Sequence, residues 1–363
     1  MLSYFDTRTR IITLVAVGAS LAALVLRIGG AGGVAIFAAS SIGLAGLAAL
    51  VGEGTEQLSH RLGPKATGVL QSGLGNLPEF FIGIFALKAG LVDVVRAALV
   101  GSVLANTLLV LGLAFIAGGL RHGPQKFGTE QTKMIATLLV LAAAAIAIPT
   151  IATAPGGPAH GHETELSVVV SVVLLIVFAA SIPFSVARTS GGAAPDAAAL
   201  ADDGEATWPL WVAGAMLLVA GVGAAFVSDW FVDALKPAMS SLGMSEAFAG
   251  LVVVAIAGNA VENVVGVRAM LADKGDLAIS VILNSSLQVA LALVPILVLV
   301  SLVLGGAPLT LVVSPLLVAA LALTAVLAAL VVVDGESTWL EGVALVGLYV
   351  ILAASVWWGQ PIG

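Results

Sequence analysis

Apolar residues run through this chain in stretches of about 20 or more, separated by short clusters of charge, glycine and proline. A helical run of that length crosses a hydrocarbon core of about 30 Å. The pattern predicts eleven α-helical spans, at roughly 10–28, 33–58, 66–89, 93–119, 132–153, 165–187, 208–232, 245–272, 276–304, 308–333 and 338–358. The runs are too long for the short alternating strands of a membrane β-barrel. Arg8 and Arg10 precede the first run as in a signal peptide, but that run ends at Arg27 without a clear small-residue cleavage site. It is therefore expected to stay as the first membrane helix.

Composition agrees with this reading. The 363 residues are 60% hydrophobic and 10% charged, with a mean hydropathy of +1.14, whereas soluble domains carry about 25% charged residues. The expected fold is an all-α polytopic membrane protein. With the N-terminus cytoplasmic, the inner side receives ten basic residues (Arg8, Arg10, Arg61, Lys65, Arg121, Lys126, Lys133, Arg188, Arg268 and Lys274) and the outer side four (Arg27, Lys88, Arg96 and Lys236), the bias that cytoplasmic loops show. A net charge of −7 with no basic patch gives no reason to expect nucleic acid. The absence of cysteine excludes disulfides, thiolate metal sites and cysteine nucleophiles. With no organelle signal, a prokaryotic cytoplasmic (inner) membrane is the expected location. Membrane lipid is the expected surrounding, and a homo-oligomer is left open.

Two polar islands interrupt the apolar runs: Gly75-Asn76-Leu77-Pro78-Glu79 and Gly258-Asn259-Ala260-Val261-Glu262. They lie 183 residues apart, and at that offset 10 of 34 ungapped positions from Gly75 to Leu108 are identical. About a third of that number would follow from ordinary residue usage, and the matches include Asn, Glu, Asp93 with Asp276, and Ser102 with Ser285. This is an internal repeat. On the predicted topology the third and eighth spans enter from opposite sides, so the repeat is inverted, an arrangement of transporters with midplane sites. The expected organisation is an extra N-terminal helix (1–30), a first five-helix unit (31–187), an acidic cytoplasmic linker (188–207) and a second unit (208–363).

Ionisable groups at membrane depth are costly and mark function by default. Gly and Pro break helices, and a broken span is tolerated where it lines a cavity. Gly75 with Asn76, and Gly258 with Asn259, are read as breaks that place oxygens beside Glu79 and Glu262. Gly83 and Gly266, one turn beyond each Glu, permit a close helix crossing. The helices that follow supply Ser102 and Asn106 in one half and Ser285, Ser286 and Gln288 in the other. An all-oxygen set with two carboxylates and no Cys or His suits a hard divalent cation, Ca2+ above Mg2+, which resists dehydration. Two carboxylates together away from water are costly to charge, which favours protonation once the cation leaves. Such a site holds a cation or protons in turn.

The blander readings differ by residue. An isolated membrane Glu can serve packing, but two at repeat-related places after Gly-Asn argue otherwise. Ser102 and Ser285 can instead bond back to their own helices. Glu53 and Glu56, and Asp229 and Asp233, sit near span ends, where solvation competes with a role in cation or proton access. Asp196, Asp202, Asp203 and Glu205 in the linker are read as a solvated segment, with cation sensing as the functional alternative. His160, His162, Glu163 and Glu165 lack a helical frame that would make them a metal site.

At this point the chain resembles the calcium/proton exchangers of the calcium/cation antiporter superfamily. The resemblance rests on Val51-Gly52-Glu53-Gly54-Thr55-Glu56 through Gly75-Asn76-Leu77-Pro78-Glu79, Ala86 to Leu91 and Gly101-Ser102, and on Gly258 to Glu262, Asp276 to Ile279 and Ser285-Ser286-Leu287-Gln288. It implies an eleven-helix exchanger in which Glu79 and Glu262 bind Ca2+ as transported substrate and are alternately protonated, with Asn76, Asn106, Asn259 and Gln288 as helpers and no cofactor. Asn263 stands where the family has His, Asn284 where it has Gly, and Pro78 where it has Thr or Ala. The expected function is a secondary antiporter of cytoplasmic Ca2+ against external H+, not an enzyme. Alternatives keep the fold and change the ions to Na+ coupling, Na+/H+ or Mn2+/H+, with Asn284 a candidate sodium ligand. An intramembrane hydrolase fits the inverted symmetry less well, and a passive channel is disfavoured because one buried acidic pair per chain is more a binding site than a conduction ring.

Overall fold

The computed structural model describes residues 4–189 and 208–358, with the backbone alone at 59–73, 131, 183–189 and 261. The acidic residues Asp196, Asp202, Asp203 and Glu205 lie outside the described residues. Helices follow one another as α1 (Thr7–Ile28), α2 (Gly33–Leu74), α3 (Leu77–Lys88), α4 (Val92–Leu104), α5 (Leu111–His122), α6 (Thr129–Ala152), α7 (Glu163–Thr189), α8 (Leu210–Leu242), α9 (Glu246–Phe248), α10 (Ala255–Gly258), α11 (Ala260–Leu271), α12 (Gly275–Gln288), α13 (Val294–Leu304), α14 (Pro315–Val331) and α15 (Trp339–Trp357). Three π-helical segments, Ala105–Val110, Ala249–Val254 and Val289–Leu293, join α4 to α5, α9 to α10 and α12 to α13. The protein is an integral, multi-pass membrane protein of the all-α class, with one short pair of strands as its only described sheet.

The helix ends follow local chemistry. Asp6 caps α1 by accepting the Thr9 N–H at 2.9 Å, which satisfies a donor that the first turn leaves free. Gly243, at φ 66°, ends α8 in the left-handed region that glycine enters without strain. Thr338 and Glu341 form a reciprocal capping box at the start of α15.

The repeat is visible in the backbone. Helix α3 (Leu77–Lys88) and helix α11 (Ala260–Leu271) have 12 residues each, and both ends differ by 183. The starts of α4 (Val92) and α12 (Gly275), and of α5 (Leu111) and α13 (Val294), keep the same offset. The π-helical joints Ala105–Val110 and Val289–Leu293 fall within one residue of it.

The span pattern needs correcting. Among the described residues eight helices are long and apolar enough to cross a membrane, or nine if Glu246–Gly258 and Glu262–Leu271, bent by 62°, form one broken span. The expected eleven are not reached on that measure. The third expected span is divided between the end of α2 and the short α3, and α14 has only 17 residues. Pro78 has no N–H to donate, so the chain breaks at Gly75-Asn76 and restarts at Leu77. The turn expected at 59–65 is absent, because α2 stays helical to Leu74. Charged residues are themselves good helix formers, so a charge cluster in the sequence need not end a helix.

The chain folds as two compact units. One holds α1, α2, α3 and α8 with residues 257–261, and the other holds 90–181, 245–256 and 262–363. In the first, α2 and α8 pack along their lengths, with Phe37 stacked on Phe231 at 4.9 Å. In the second, two strands, β1 (Gln125–Lys126) and β2 (Glu336–Ser337), pair antiparallel at one end. There Gln125 donates to Asp273 at 3.0 Å and the Gly128 N–H to Asp276. At the opposite ends of the same helices Arg96 bonds Thr310 at 2.7 Å, Thr150 bonds the Leu311 carbonyl at 3.2 Å, and the Ser167 hydroxyl accepts the Leu311 N–H at 2.9 Å. Successive helices in this unit thus run in alternating directions.

Small residues set the position of α4. A Cβ on Gly101 would fall on the Leu251 backbone, and one on Gly250 would meet the Val94 carbonyl and Ala97. Backbone cannot give way as a side chain can, so a Gly101→Leu change is expected to overpack this crossing by about 1–3 kcal/mol or more. A fall of several degrees in the melting temperature of the detergent-solubilised protein checks it.

Candidate ion-binding site

Glu79 and Glu262 occupy the same place in their two helices, the third residue of α3 and of α11. A carboxylate in the first turn lies at the positive end of the helix dipole. Pro78 is in that turn too, where its missing N–H leaves no bond unmade. The unfamiliar proline therefore fits the break it helps to create.

The first motif is buried. Glu79 is 7% exposed and Asn76 8%, while Asn259 is fully buried and Glu262 half-buried. Gly75 is half-buried in the turn between α2 and α3. The glycine of the second motif lies directly against the first carboxylate. A Cβ on Gly258 would stand 2.6 Å from Glu79 Cγ and 3.1 Å from its Oε1. A side chain there would force Glu79 to shift, so close approach, and not backbone conformation, is what favours glycine.

In the other unit, Asn106 and Ser285 are brought together. The fully buried Asn106 amide donates to Ser285 Oγ at 3.0 Å. Ser102 is buried on α4, and Gln288 is half-buried at the end of α12. Asn106 lies inside the π-helical Ala105–Val110, and Gln288 immediately precedes Val289–Leu293. Such widened turns are common at functional sites. Gly266 packs on Ile282 of α12.

Other candidates are placed differently. Ser286 bonds back to the Ile282 carbonyl at 3.2 Å, and the Asn284 amide donates to Ser280 at 3.1 Å along its own helix. Glu53 pairs with Arg8 at 3.4 Å, and Asp229 and Asp233 pair with Arg27 at 3.3 and 2.6 Å. These carboxylates are therefore held by the two ends of α1, not solvated alone. Glu56 is half-buried one turn from Glu53. His160 bonds the Thr153 carbonyl, and the Gly161 N–H bonds Glu163.

Sequence reasoning missed Arg8 and Arg27 as partners, because pairing across so many residues needs the topology. It treated Asn263 only as a departure. Among the described residues the buried Asn263 Oδ1 meets no hydrogen-bond partner. Partly exposed ion pairs contribute about 0–1 kcal/mol. Arg27→Gln is accordingly expected to lower unfolding stability by no more than that, and a double-mutant cycle with Asp233→Asn measures the coupling.

A family model described as sodium/calcium exchanger protein matches residues 32–187 and again 212–358. The chain is 34% identical over 333 residues to a Ca2+/H+ antiporter of Aphanothece halophytica, covering 88% of this chain and 89% of that one. It is 36% identical over 344 residues to a Ca2+/H+ antiporter of Synechocystis sp., covering 89% and 91%. Among solved structures, native YfkE superposes with a TM-score of 0.81 at 28% identity, covering 95% of this chain and 99% of that one. The H+/Ca2+ exchanger CAX superposes at 0.75 with 15% identity over 96% and 91%, a likeness of fold. The chain belongs to the sodium/calcium exchanger protein family and is a membrane transporter, not an enzyme.

Proposed function

We propose that this protein is a secondary antiporter that moves Ca2+ out of the cytoplasm against entering H+, with Glu79 and Glu262 holding the cation or protons in turn. The observation that carries the reading is the burial of Glu79 against Gly258, which joins the carboxylate of one motif to the backbone of the other. A buried carboxylate needs a partner of opposite charge or a proton, and an antiporter supplies each alternately. The Asn106–Ser285 pair adds amide and hydroxyl oxygens of the kind Ca2+ takes, and Asn76, Asn259, Ser102 and Gln288 are assigned as further donors. The relatives named Ca2+/H+ antiporters favour these two ions.

The two matched segments and the repeated helix boundaries support halves of 31–187 and 208–363 related by inversion. In this reading α1 lies outside the repeat, the N-terminus is cytoplasmic, and the protein works in a prokaryotic inner membrane. The acidic residues of 188–207 form a cytoplasmic segment between the halves. Glu53 and Glu56 lie mid-helix in the continuous α2, not at a span end, and Asp229 and Asp233 lie within α8. These carboxylates contribute to cation access once Arg8 and Arg27 release them.

The test is proton movement in sodium-free proteoliposomes when Ca2+ is added. Calcium-evoked proton flux is expected without Na+. Flux that appears only with Na+ would keep the fold and replace the coupling ion. The Asn284 amide donates its N–H to Ser280, and that bond leaves its Oδ1, the oxygen a sodium ion would take, unused.

A further inference from the structure

In the unit built from α1, α2, α3 and α8, a crevice of about 720 Å3 opens between α3 and α8. Leu77, Phe81 and Phe85 of α3 form one wall, the back of the helix whose other side carries Glu79. Gly214 and Gly221 of α8 lie in the other wall. Small residues in membrane helices ordinarily let a partner helix close in. Here a Cβ on Gly214 would meet nothing within 4 Å, and one on Gly221 would meet only Leu77 Cδ1 at 3.8 Å. Among the described side chains the space is left open.

The crevice has one polar end. Asp229 lines it and pairs with Arg27, which also holds Asp233. All three side chains are more than a third exposed. From Asp229 to Gly214 the helix rises roughly 22 Å at about 1.5 Å per residue. One leaflet, half of a core of about 30 Å plus one headgroup layer, has nearly that depth. An apolar slot of leaflet length, ending in one guanidinium and two carboxylates, matches a lipid whose headgroup carries both a phosphate and a free ammonium.

We propose that this crevice binds one acyl chain of an ethanolamine phospholipid, with Arg27 meeting the phosphate and Asp229 and Asp233 the ammonium. The bound chain lies along α3 and supports it from behind. The site takes no residue from the Glu79–Glu262 ion site and shares only Arg27, Asp229 and Asp233 with the proposed access route.

The experiment reconstitutes the full-length protein in nanodiscs with phosphatidylethanolamine carrying a photoactivatable acyl chain, and maps crosslinks by peptide mass spectrometry. Labelling is expected to concentrate on α3 and α8 and to be competed by unlabelled phosphatidylethanolamine several-fold better than by phosphatidylcholine, whose methylated ammonium cannot donate to a carboxylate. Gly221→Leu and Gly214→Leu fill the slot from its two halves. Each is expected to cut α3 and α8 labelling at least about fivefold, a difference near 1 kcal/mol by the affinity relation, and to leave labelling of other lipid-facing helices unchanged. Labelling spread evenly over all lipid-facing helices, and unmoved in both variants, would reduce the crevice to ordinary annular contact and overturn the site. Competition as strong from phosphatidylcholine, or from the anionic phosphatidylglycerol, would overturn the headgroup assignment.

Discussion

Glu79→Gln and Glu262→Gln should each abolish calcium-evoked proton movement, by at least about a hundredfold, which corresponds to about 2.7 kcal/mol. Glutamine keeps the shape and the oxygen but loses the negative charge and the titratable proton. A divalent ion facing one carboxylate in place of two is left half neutralised, and calcium affinity follows the charge of its ligands. Proton coupling fails for a separate reason, because an amide takes up no proton when the cation leaves. The two variants should elute as folded protein, since the change is isosteric and removes a costly buried charge. Measuring 45Ca2+ binding beside proton flux separates the two losses. If either variant exchanges at the wild-type rate, that carboxylate is not in the site, and an unaltered pair of variants would end the two-carboxylate reading.

The parts of this protein that the sequence made legible are those with a large energetic signature. A carboxylate inside an apolar run is conspicuous because its burial is expensive, and two of them after Gly-Asn at one offset stand out from composition. The structure repeats that offset in the ends of α3 and α11 and in the starts of α4 and α12. What stayed hidden depends on direction around a helix. Ser285 and Ser286 are neighbours in sequence, yet about 100° of rotation separates them at 3.6 residues per turn. One accepts from Asn106 and the other turns into its own backbone. The π-helical joints change this phase locally, and apolar periodicity does not report them. Long-range ion pairs were equally hidden. Arg27 meets Asp229 and Asp233 across more than 200 residues, and only the way α1 lies in its unit reveals it. The break at Gly75-Asn76 was legible, since Gly and Pro mark it in the sequence; what hydropathy hid is that α2 runs unbroken through 59–65 to reach it.

Gly258→Ala carries the second large expectation, a loss of transport from adding one methyl group. The new Cβ would lie 2.6 Å from Glu79 Cγ, 3.0 Å from Cδ and 3.1 Å from Oε1, closer than side-chain carbons approach. Glu79 is flexible in principle but almost fully buried, so its carboxylate must shift within a packed surrounding. A displacement of several tenths of an ångström or more takes a cation ligand off its distance while leaving its charge in place. The apparent calcium affinity should fall about tenfold to a hundredfold, or about 1.4–2.7 kcal/mol. Stability should move far less, because alanine is a better helix former than glycine by about 1 kcal/mol and this offsets part of the crowding. Affinity lost at an unchanged melting temperature is therefore the expected signature. Gly347→Ala is the control, since a Cβ there meets nothing within 4 Å, and it should leave both measurements at wild-type values. If Gly258→Ala transports with unchanged affinity, the contact with Glu79 relaxes without consequence, and the carboxylate's position against the second motif does not set the ion site. If affinity and melting temperature fall together in proportion, the glycine serves packing alone.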